Sequence, residues 1–300
     1  TAVAVKPSGA FLAVASASDV RLLDAATGAL LDTLHAGSSE VKSLAFSPDG
    51  SWLAAGGHDG AVRLWDATTG EYLRRIDGAS GPVCSVTPSP DAACIAACYA
   101  NGSVRLWDAA TGALQRTLHS PDSVAEAVVF SPDGRRLATR DASGFVRLWD
   151  ATTGSQSRTL SVGTHAVKSV TFSPDGSWLA GGAHDGTICV WDAATGEVLH
   201  SVTSSNGPVC CVTFSPDGSW LAAVTRTGAV EVRTMPTLAA AAMTRVDDAL
   251  VGATWSLRSQ TMYVVGSAGL HSFAFAPQED EAADAGPPAA HGRATSDVTG

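Results

Sequence analysis

The sequence repeats itself with a period of 42 residues, and this period constrains the fold more than any other feature. The clearest marker is a turn proline, which recurs as Pro7, Pro48, Pro90, Pro132, Pro174 and Pro216, with a first interval of 41 residues and later intervals of 42. A seventh copy becomes visible when Trp255 is aligned with Phe214. A fixed period of this length is typical of architectures in which similar units stack on one another. We therefore expect seven units built on one plan.

One copy, residues 41–76, predicts four β-strands joined by three turns. The strand-forming runs cover residues 41–46, 52–57, 62–65 and 71–76. The first turn, Ser47-Pro48-Asp49-Gly50, has proline and glycine where a type I turn prefers them. The second contains Asp59-Gly60, a step that favours a tight hairpin, and the third is Asp66-Ala67-Thr68-Thr69-Gly70. Each unit is therefore expected to be an antiparallel four-stranded meander.

The Ser-Pro-Asp-Gly turns, the Asp-Gly hairpins and the repeated Trp-Asp strand ends resemble those of the WD-repeat β-propellers. The Trp-Asp pairs begin at Trp65, Trp107, Trp149 and Trp191. The resemblance covers residues 1–276 and implies an all-β, seven-bladed propeller of four-stranded antiparallel blades. In such a ring each blade buries its faces against its neighbours, so the ring must close to be stable.

The copies depart from the family pattern at the positions of its buried polar network. Many WD repeats carry a Gly-His pair before the first strand, but the histidine slot here holds Gly37, Ala79, Pro121, Gly163 and Ser205. On the second strand only Thr139 keeps a hydroxyl for the tryptophan. We therefore expect blades held together by packing rather than by buried polar networks, with lower local stability as a result.

Both ends of the chain carry expectations of their own. The first strand is predicted at residues 2–5, and blade seven is predicted to end at its third strand, residues 269–275. Residues 277–300 form an acidic tail rich in Ala, Gly and Pro, a composition typical of disorder. Because the sequence begins with Thr1, we expect the chain to belong to a longer protein whose upstream part supplies the missing fourth strand.

An internal duplication is also visible. Residues 41–73 match residues 167–199, and residues 81–84 match residues 207–210, both at an offset of 126 residues or three repeats. Blades two and three therefore look copied as blades five and six. Similar surface residues are expected on opposite sides of the ring.

Charge and hydropathy argue against two classes of partner. The net charge is −10, of which the tail contributes −4. An acidic body is unsuited to non-specific binding of nucleic acid or of anionic membranes, since both need clustered Lys and Arg. No stretch approaches the roughly 18 apolar residues of a membrane span, and no signal peptide is visible. We expect a monomeric propeller in the cytoplasm, with the nucleus as an alternative, inside a larger protein or complex.

No catalytic, metal or cofactor signature accompanies the repeats. The six cysteines lie in predicted strands without a C-x-x-C pair and are interpreted as small buried residues in a reducing compartment. The His58-Asp59 and His184-Asp185 pairs occupy hairpin turns, where the aspartate serves the turn. The sequence contains no nucleophile elbow, phosphate-binding loop or H-E-x-x-H motif. We expect no enzyme activity, no cofactor and no bound metal.

Candidate partner-binding residues are sought where the propeller plan tolerates variation. The position six residues before each turn proline, near the mouth of the channel by analogy, carries Thr1, Lys42, Cys84, Glu126, Lys168 and Cys210, with Val251 in the seventh copy. Glu126 and Lys168 lie on adjacent blades and could pair, or could contact a charged partner together with Lys42. The hairpin tips add His58, Tyr99, Arg140, His184 and Arg226.

Three functional hypotheses remain open. The first is a non-catalytic platform that binds peptides or protein surfaces on its upper face and channel rim, as the resemblance implies. One version of it, a substrate receptor for a ubiquitin ligase, lacks the arginine often found two residues after the Trp-Asp pair. The second is a propeller hydrolase, which needs His and carboxylates converging on the channel. The third is a sensor or regulatory propeller fused to an upstream effector domain.

Overall fold

A computed structural model describes residues 2–37, 39–78, 81–119, 124–162, 166–247, 249–255, 261–266 and 270–274. In these ranges the chain forms β-strands grouped in seven antiparallel sheets. Six sheets have four strands in chain order, and the seventh has three. The predicted seven-bladed architecture is confirmed.

The strands are numbered along the chain and assigned to blades one to seven. Blades one to three contain β1 (Val3–Val5), β2 (Phe11–Ser16), β3 (Asp19–Asp24) and β4 (Leu30–His35); β5 (Val41–Phe46), β6 (Trp52–Gly57), β7 (Ala61–Asp66) and β8 (Tyr72–Asp77); and β9 (Val83–Pro88), β10 (Cys94–Tyr99), β11 (Ser103–Asp108) and β12 (Leu114–His119). Blades four and five contain β13 (Ala125–Phe130), β14 (Arg136–Asp141), β15 (Val146–Asp150) and β16 (Gln156–Leu160); and β17 (Val167–Phe172), β18 (Trp178–Ala183), β19 (Thr187–Asp192) and β20 (Val198–Thr203). Blades six and seven contain β21 (Val209–Phe214), β22 (Trp220–Thr225), β23 (Ala229–Thr234) and β24 (Ala239–Arg245); and β25 (Leu250–Trp255), β26 (Thr261–Gly266) and β27 (Leu270–Ala274).

The turn chemistry explains where the strands end. In the turn between β5 and β6 the Ser47 hydroxyl donates to the Asp49 carboxylate at 2.6 Å, and the Gly50 amide donates to the Ser47 carbonyl at 2.8 Å. The hairpin between β6 and β7 places Gly60 at φ +78°, which an L side chain rarely adopts. The aspartate of the Trp-Asp pair, Asp66, accepts the amides of the next turn rather than joining the core.

The first strands of the blades form the inner wall of the ring. Each first strand packs against the first strand of the next blade, and β1 also packs against β25, so these contacts run around the whole ring. The described apolar core divides into six clusters, and each lies between two successive blades. Stability is therefore shared between neighbours, as expected for a repeat protein.

The expectation of blades without buried polar networks is wrong for blades two, four and six. In blade two Arg63 donates to both carboxylate oxygens of Asp59, and in blade four Arg147, at the position equivalent to Arg63, pairs with Asp141 at the end of β14. The arginine of each pair comes from the third strand, and in blade two it lies 3.7 Å from where a Cβ on Gly37 would stand, beside the family's histidine slot. Arginine suits this position because its planar fork matches a carboxylate at two points.

Two further buried polar contacts lie in blade six and at the tryptophan of blade four. Glu231 is buried and accepts hydrogen bonds from Ser204 and, at 2.8 Å each, from Asn206 and Arg233. In blade four the indole of Trp149 donates to the Thr139 hydroxyl at 2.9 Å, as the one retained hydroxyl predicted. Blades two, four and six thus contain buried polar contacts that the repeat pattern did not predict, apart from the Trp149–Thr139 hydrogen bond.

The ends of the chain agree with the prediction where they are described. The first strand begins at Val3, one residue later than expected, and β27 covers Leu270–Ala274 of the predicted 269–275. Thr1, Gly269, Phe275 and the predicted tail lie outside the described residues, as do the slots at Ala79, Pro121 and Gly163. No helix in the described part of the chain is long and apolar enough to cross a membrane.

Candidate interaction face

One end of the ring gathers the entry segments and the second hairpins of the blades. In blade two the His58 amide donates to the Glu40 carbonyl at 2.8 Å, so the β6–β7 hairpin is tied to the residue that precedes β5. The same bond recurs in blades three to six, for example from His184 to Ala166 and from Arg226 to Pro208. We call this end the hairpin face. The opposite end, which carries the Ser-Pro-Asp-Gly turns, is the turn face.

A β-bulge stands at the same place in six blades, where the first strand leaves the hairpin face. The register between first and second strands shifts by one residue at this point, and the extra residues are Lys42, Cys84, Glu126, Lys168, Cys210 and Val251. A bulge bends the strand and re-aims the side chain of its extra residue. These are the positions that the sequence analysis chose near the channel mouth, Thr1 excepted, but nothing in the sequence indicated the bulge. Six blades thus present a variable side chain on a constant frame.

The charged bulge residues differ in their partners. Lys42 pairs with Glu40 at 2.8 Å, and Glu126 pairs with Arg140 of its own blade. The possible pair between Glu126 and Lys168 is not formed, because Arg140 occupies that carboxylate. Among the described ion pairs Lys168 takes part in none, since the counterpart of Glu40 in blade five is Ala166. Lys168 is therefore the exposed bulge cation available to an acidic partner.

The predicted hairpin-tip residues divide into an exposed and a buried set. His58, His184 and Arg226 are exposed at the hairpin face. Tyr99 is fully buried between blades two and three, and burial raises the pKa of its hydroxyl to about 12. Tyr99 cannot meet a partner in this conformation, so its placement on the rim is wrong. Arg140 is also buried, apart from the edge where it meets Glu126. The protein-binding role of the exposed residues remains a prediction.

Asp59 connects the exposed hairpin tip of blade two to the blade interior. Arg63 donates to it at 3.1 and 2.5 Å, and Arg75 lies 3.4 Å away. The bidentate bond from Arg63 holds the pKa of Asp59 at about 2, below its ordinary 3.8. Sequence reasoning assigned Asp59 to the turn alone. The spacing of Asp59 and Arg63 across a tight hairpin was the signal that could have revealed the ion pair.

Two cysteines at bulge positions differ from each other. A hydrogen bond with Cys98 lowers the pKa of the half-buried Cys84 thiol, while burial raises the pKa of Cys98. In the duplicated blade six Val224 replaces Cys98, and burial raises the pKa of Cys210 to about 12. All six cysteines are free thiols. Among the described residues no group of three or more His, Cys, Asp or Glu could hold a metal ion.

Comparison with known proteins agrees with this architecture. The sequence profile of the family WD40, described as "WD domain, G-beta repeat", matches residues 28–66, 70–108, 112–150, 154–192 and 196–232, which together are more than half of the chain. Each matched segment begins before or at the fourth strand of one blade and ends at the third strand of the next, so every repeat joins two neighbouring blades. No curated protein matches the chain. Proteins of this fold generally serve as protein-interaction scaffolds. The chain belongs to the WD40-repeat family.

Proposed function

We propose that this propeller is a non-catalytic platform that binds peptides or protein surfaces through the exposed residues of its hairpin face. The observation that carries the proposal is the repeated bulge, which puts Lys, Cys, Glu, Lys, Cys and Val at equivalent places in six blades. A rigid frame with a different side chain at each place can distinguish partners without moving its backbone.

The charged residues of the hairpin face indicate which blade is best placed to bind an acidic partner. Lys42 and Lys168 stand three blades apart, and of the two only Lys42 forms an ion pair with a described residue, Glu40. An acidic segment of a partner gains more at Lys168, because there it does not compete with an existing ion pair. The exposed His184 stands on the hairpin of the same blade. We therefore assign the centre of the binding surface to blade five.

The experiment is affinity capture from cells of the source organism with quantitative mass spectrometry. We expect the Lys168→Glu variant to bind a partner at least about tenfold more weakly than the parent chain does. This factor corresponds to about 1.4 kcal/mol of binding free energy. We expect Lys42→Glu to weaken binding of the same partner less than Lys168→Glu does. Arg158→Glu on β16 is the matched control, because it makes the same charge change on an outer strand. Equal retention of the partner by Lys168→Glu and Arg158→Glu would rule the hairpin face out as the contact surface.

A further inference from the structure

A cleft of about 640 Å³ opens on the turn face between blades three and four. Its floor includes Cys94, Leu106 and Phe130, and its rim includes Arg116 and Arg135. A cleft of this size lies in the range of small-ligand and side-chain pockets. The repeat itself explains why the cleft exists.

The first residue of each second strand packs across to the next blade. There it meets the last residue of the neighbouring first strand: Phe11 lies edge-on to Phe46 at 5.7 Å between ring centroids, Arg136 stacks over Phe172 at 6.0 Å, and Trp220 lies 6.2 Å from Trp255. At this position blades one to six carry Phe11, Trp52, Cys94, Arg136, Trp178 and Trp220. Blade three alone among them has a small side chain.

The aromatic ring that faces the small residue of blade three is more exposed than the rings that face large residues in other blades. Phe46, Phe172, Phe214 and Trp255 are all buried, whereas Phe130, which faces Cys94, is only half-buried. At the next interface, where Arg136 fills the slot and donates to the Gly176 carbonyl at 3.2 Å, the cleft is about 320 Å³. The cleft at blade three therefore has the shape of a missing large side chain above an aromatic floor.

The side chains of this cleft are suited to binding a ligand rather than to catalysis. Burial raises the pKa of the Cys94 thiol to about 11, so it stays protonated near neutral pH and contributes apolar surface. On the rim, Asp133 accepts from the Ser131 hydroxyl at 2.5 Å and from the Arg135 amide at 3.0 Å, and Arg116 donates to the Thr153 carbonyl at 2.8 Å. The Arg135 side chain makes no hydrogen bond or ion pair with the described residues. It is exposed and available to an anion.

We infer that this cleft binds an aromatic side chain, best a tryptophan, of a partner polypeptide whose neighbouring residue is acidic. The tryptophan ring takes the place that Trp52, Trp178 and Trp220 take in their own interfaces, and stacks on Phe130. The adjacent carboxylate pairs with Arg135. This site lies on the opposite face from the platform proposed above and does not depend on it.

The test uses the full chain and the probe N-acetyl-Trp-Glu-amide, followed by NMR with labelled phenylalanine rings. We expect saturable binding with a Kd of about 1 mM, a value reasonable for one side chain and one ion pair. The Phe130 ring signal should shift most. N-acetyl-Ala-Glu-amide should bind at least about tenfold more weakly, since one buried aromatic ring contributes more than 1.4 kcal/mol. Equal binding of the two probes, or a Phe130 signal that does not move, would overturn the inference.

Variants locate the site within the repeat. Cys94→Trp restores the residue of the sister blades and should abolish binding of the probe, while Cys94→Met fills the slot partly and should weaken it. Trp178→Cys opens the corresponding slot above Phe214 and should add a second site. Arg135→Gln should remove the preference for N-acetyl-Trp-Glu-amide over N-acetyl-Trp-Gln-amide. Unchanged binding in folded Cys94→Trp or in Cys94→Met would place the probe elsewhere and refute the proposal.

Discussion

The ion pair between Asp59 and Arg63 can be tested with a double-mutant cycle. Asp59 accepts the Ala61 amide at 3.3 Å in addition to the bonds from Arg63. Asparagine keeps an acceptor for that amide and removes the charge, while Arg63→Gln removes the cation. The coupling free energy from Asp59→Asn, Arg63→Gln and the double variant therefore isolates the pairing between the two side chains.

The magnitude follows from the pKa of Asp59. A fall from 3.8 to about 2 corresponds to an upper bound of about 2.4 kcal/mol at neutral pH. The Asp59 side chain is 28% exposed, and solvent screening reduces the figure to about 1–2 kcal/mol. Arg63 is only 8% exposed, so removing its partner leaves a nearly buried cation. We expect Asp59→Asn to cost about 2 kcal/mol and the double-mutant cycle to give a coupling free energy of about 1 kcal/mol.

The contribution of Asp59 to the stability of blade two should fall as the pH is lowered. Because the folded pKa of Asp59 is depressed, its contribution is fully present above about pH 4 and is lost as the pH falls through about 2. About half of it should be gone at pH 3. Native-state hydrogen exchange of the β6–β7 amides, measured at pH 7 and pH 3 in the parent chain, the two single variants and the double variant, gives the local free energies of opening. If the coupling free energy at pH 7 is below about 0.5 kcal/mol, the ion pair adds nothing net to blade two.

Three further substitutions test individual contacts. Thr139→Val should cost about 1 kcal/mol in urea unfolding and speed exchange of the Trp149 indole proton, because that donor loses its acceptor; an unchanged indole rate would contradict the hydrogen bond. Tyr99→Phe should leave partner capture unchanged, because the Tyr99 side chain is fully buried between blades two and three; loss of a partner would contradict its place in the core. Gly144→Ala should destabilise by more than about 2 kcal/mol, because φ is +85° and the new methyl would lie 2.2 Å from a backbone atom of the next blade. Gly112→Ala, at φ +75° with its nearest neighbour at 3.5 Å, should cost clearly less, and equal losses would refute the steric argument.

The fold was predictable because its determinants are local and repeated. The Ser-Pro-Asp-Gly turn at residues 47–50, the Asp59-Gly60 hairpin and the alternation along each strand fix a four-stranded unit, and a 42-residue period fixes their number. The cleft also left a trace in the sequence, since Cys94 stands where Trp52 and Trp178 stand in sister copies. Such a substitution becomes meaningful only when the facing residue is known.

The features that sequence reasoning missed depend on contacts across strands. Arg63 alternates along its strand like a surface residue, and only the hairpin geometry brings it onto Asp59. Tyr99 ends the second strand beside the hairpin, and its direction into the core is set by packing against the neighbouring blade. The bulge at Lys42 is a register shift between two strands, for which no residue type is required. None of these follows from propensity or period alone.

The most direct test of the interaction platform is site-specific photocrosslinking within blade five. A p-benzoylphenylalanine residue is placed at His184 on the hairpin face or at Glu197 on the turn face of the same blade, both exposed. After irradiation in cells of the source organism, crosslinked proteins are identified by mass spectrometry. If the hairpin face is the binding surface, a discrete partner is crosslinked from position 184, its yield is reduced by Lys168→Glu, and it is not crosslinked from position 197. A partner captured from position 197 but not from position 184 would contradict that assignment.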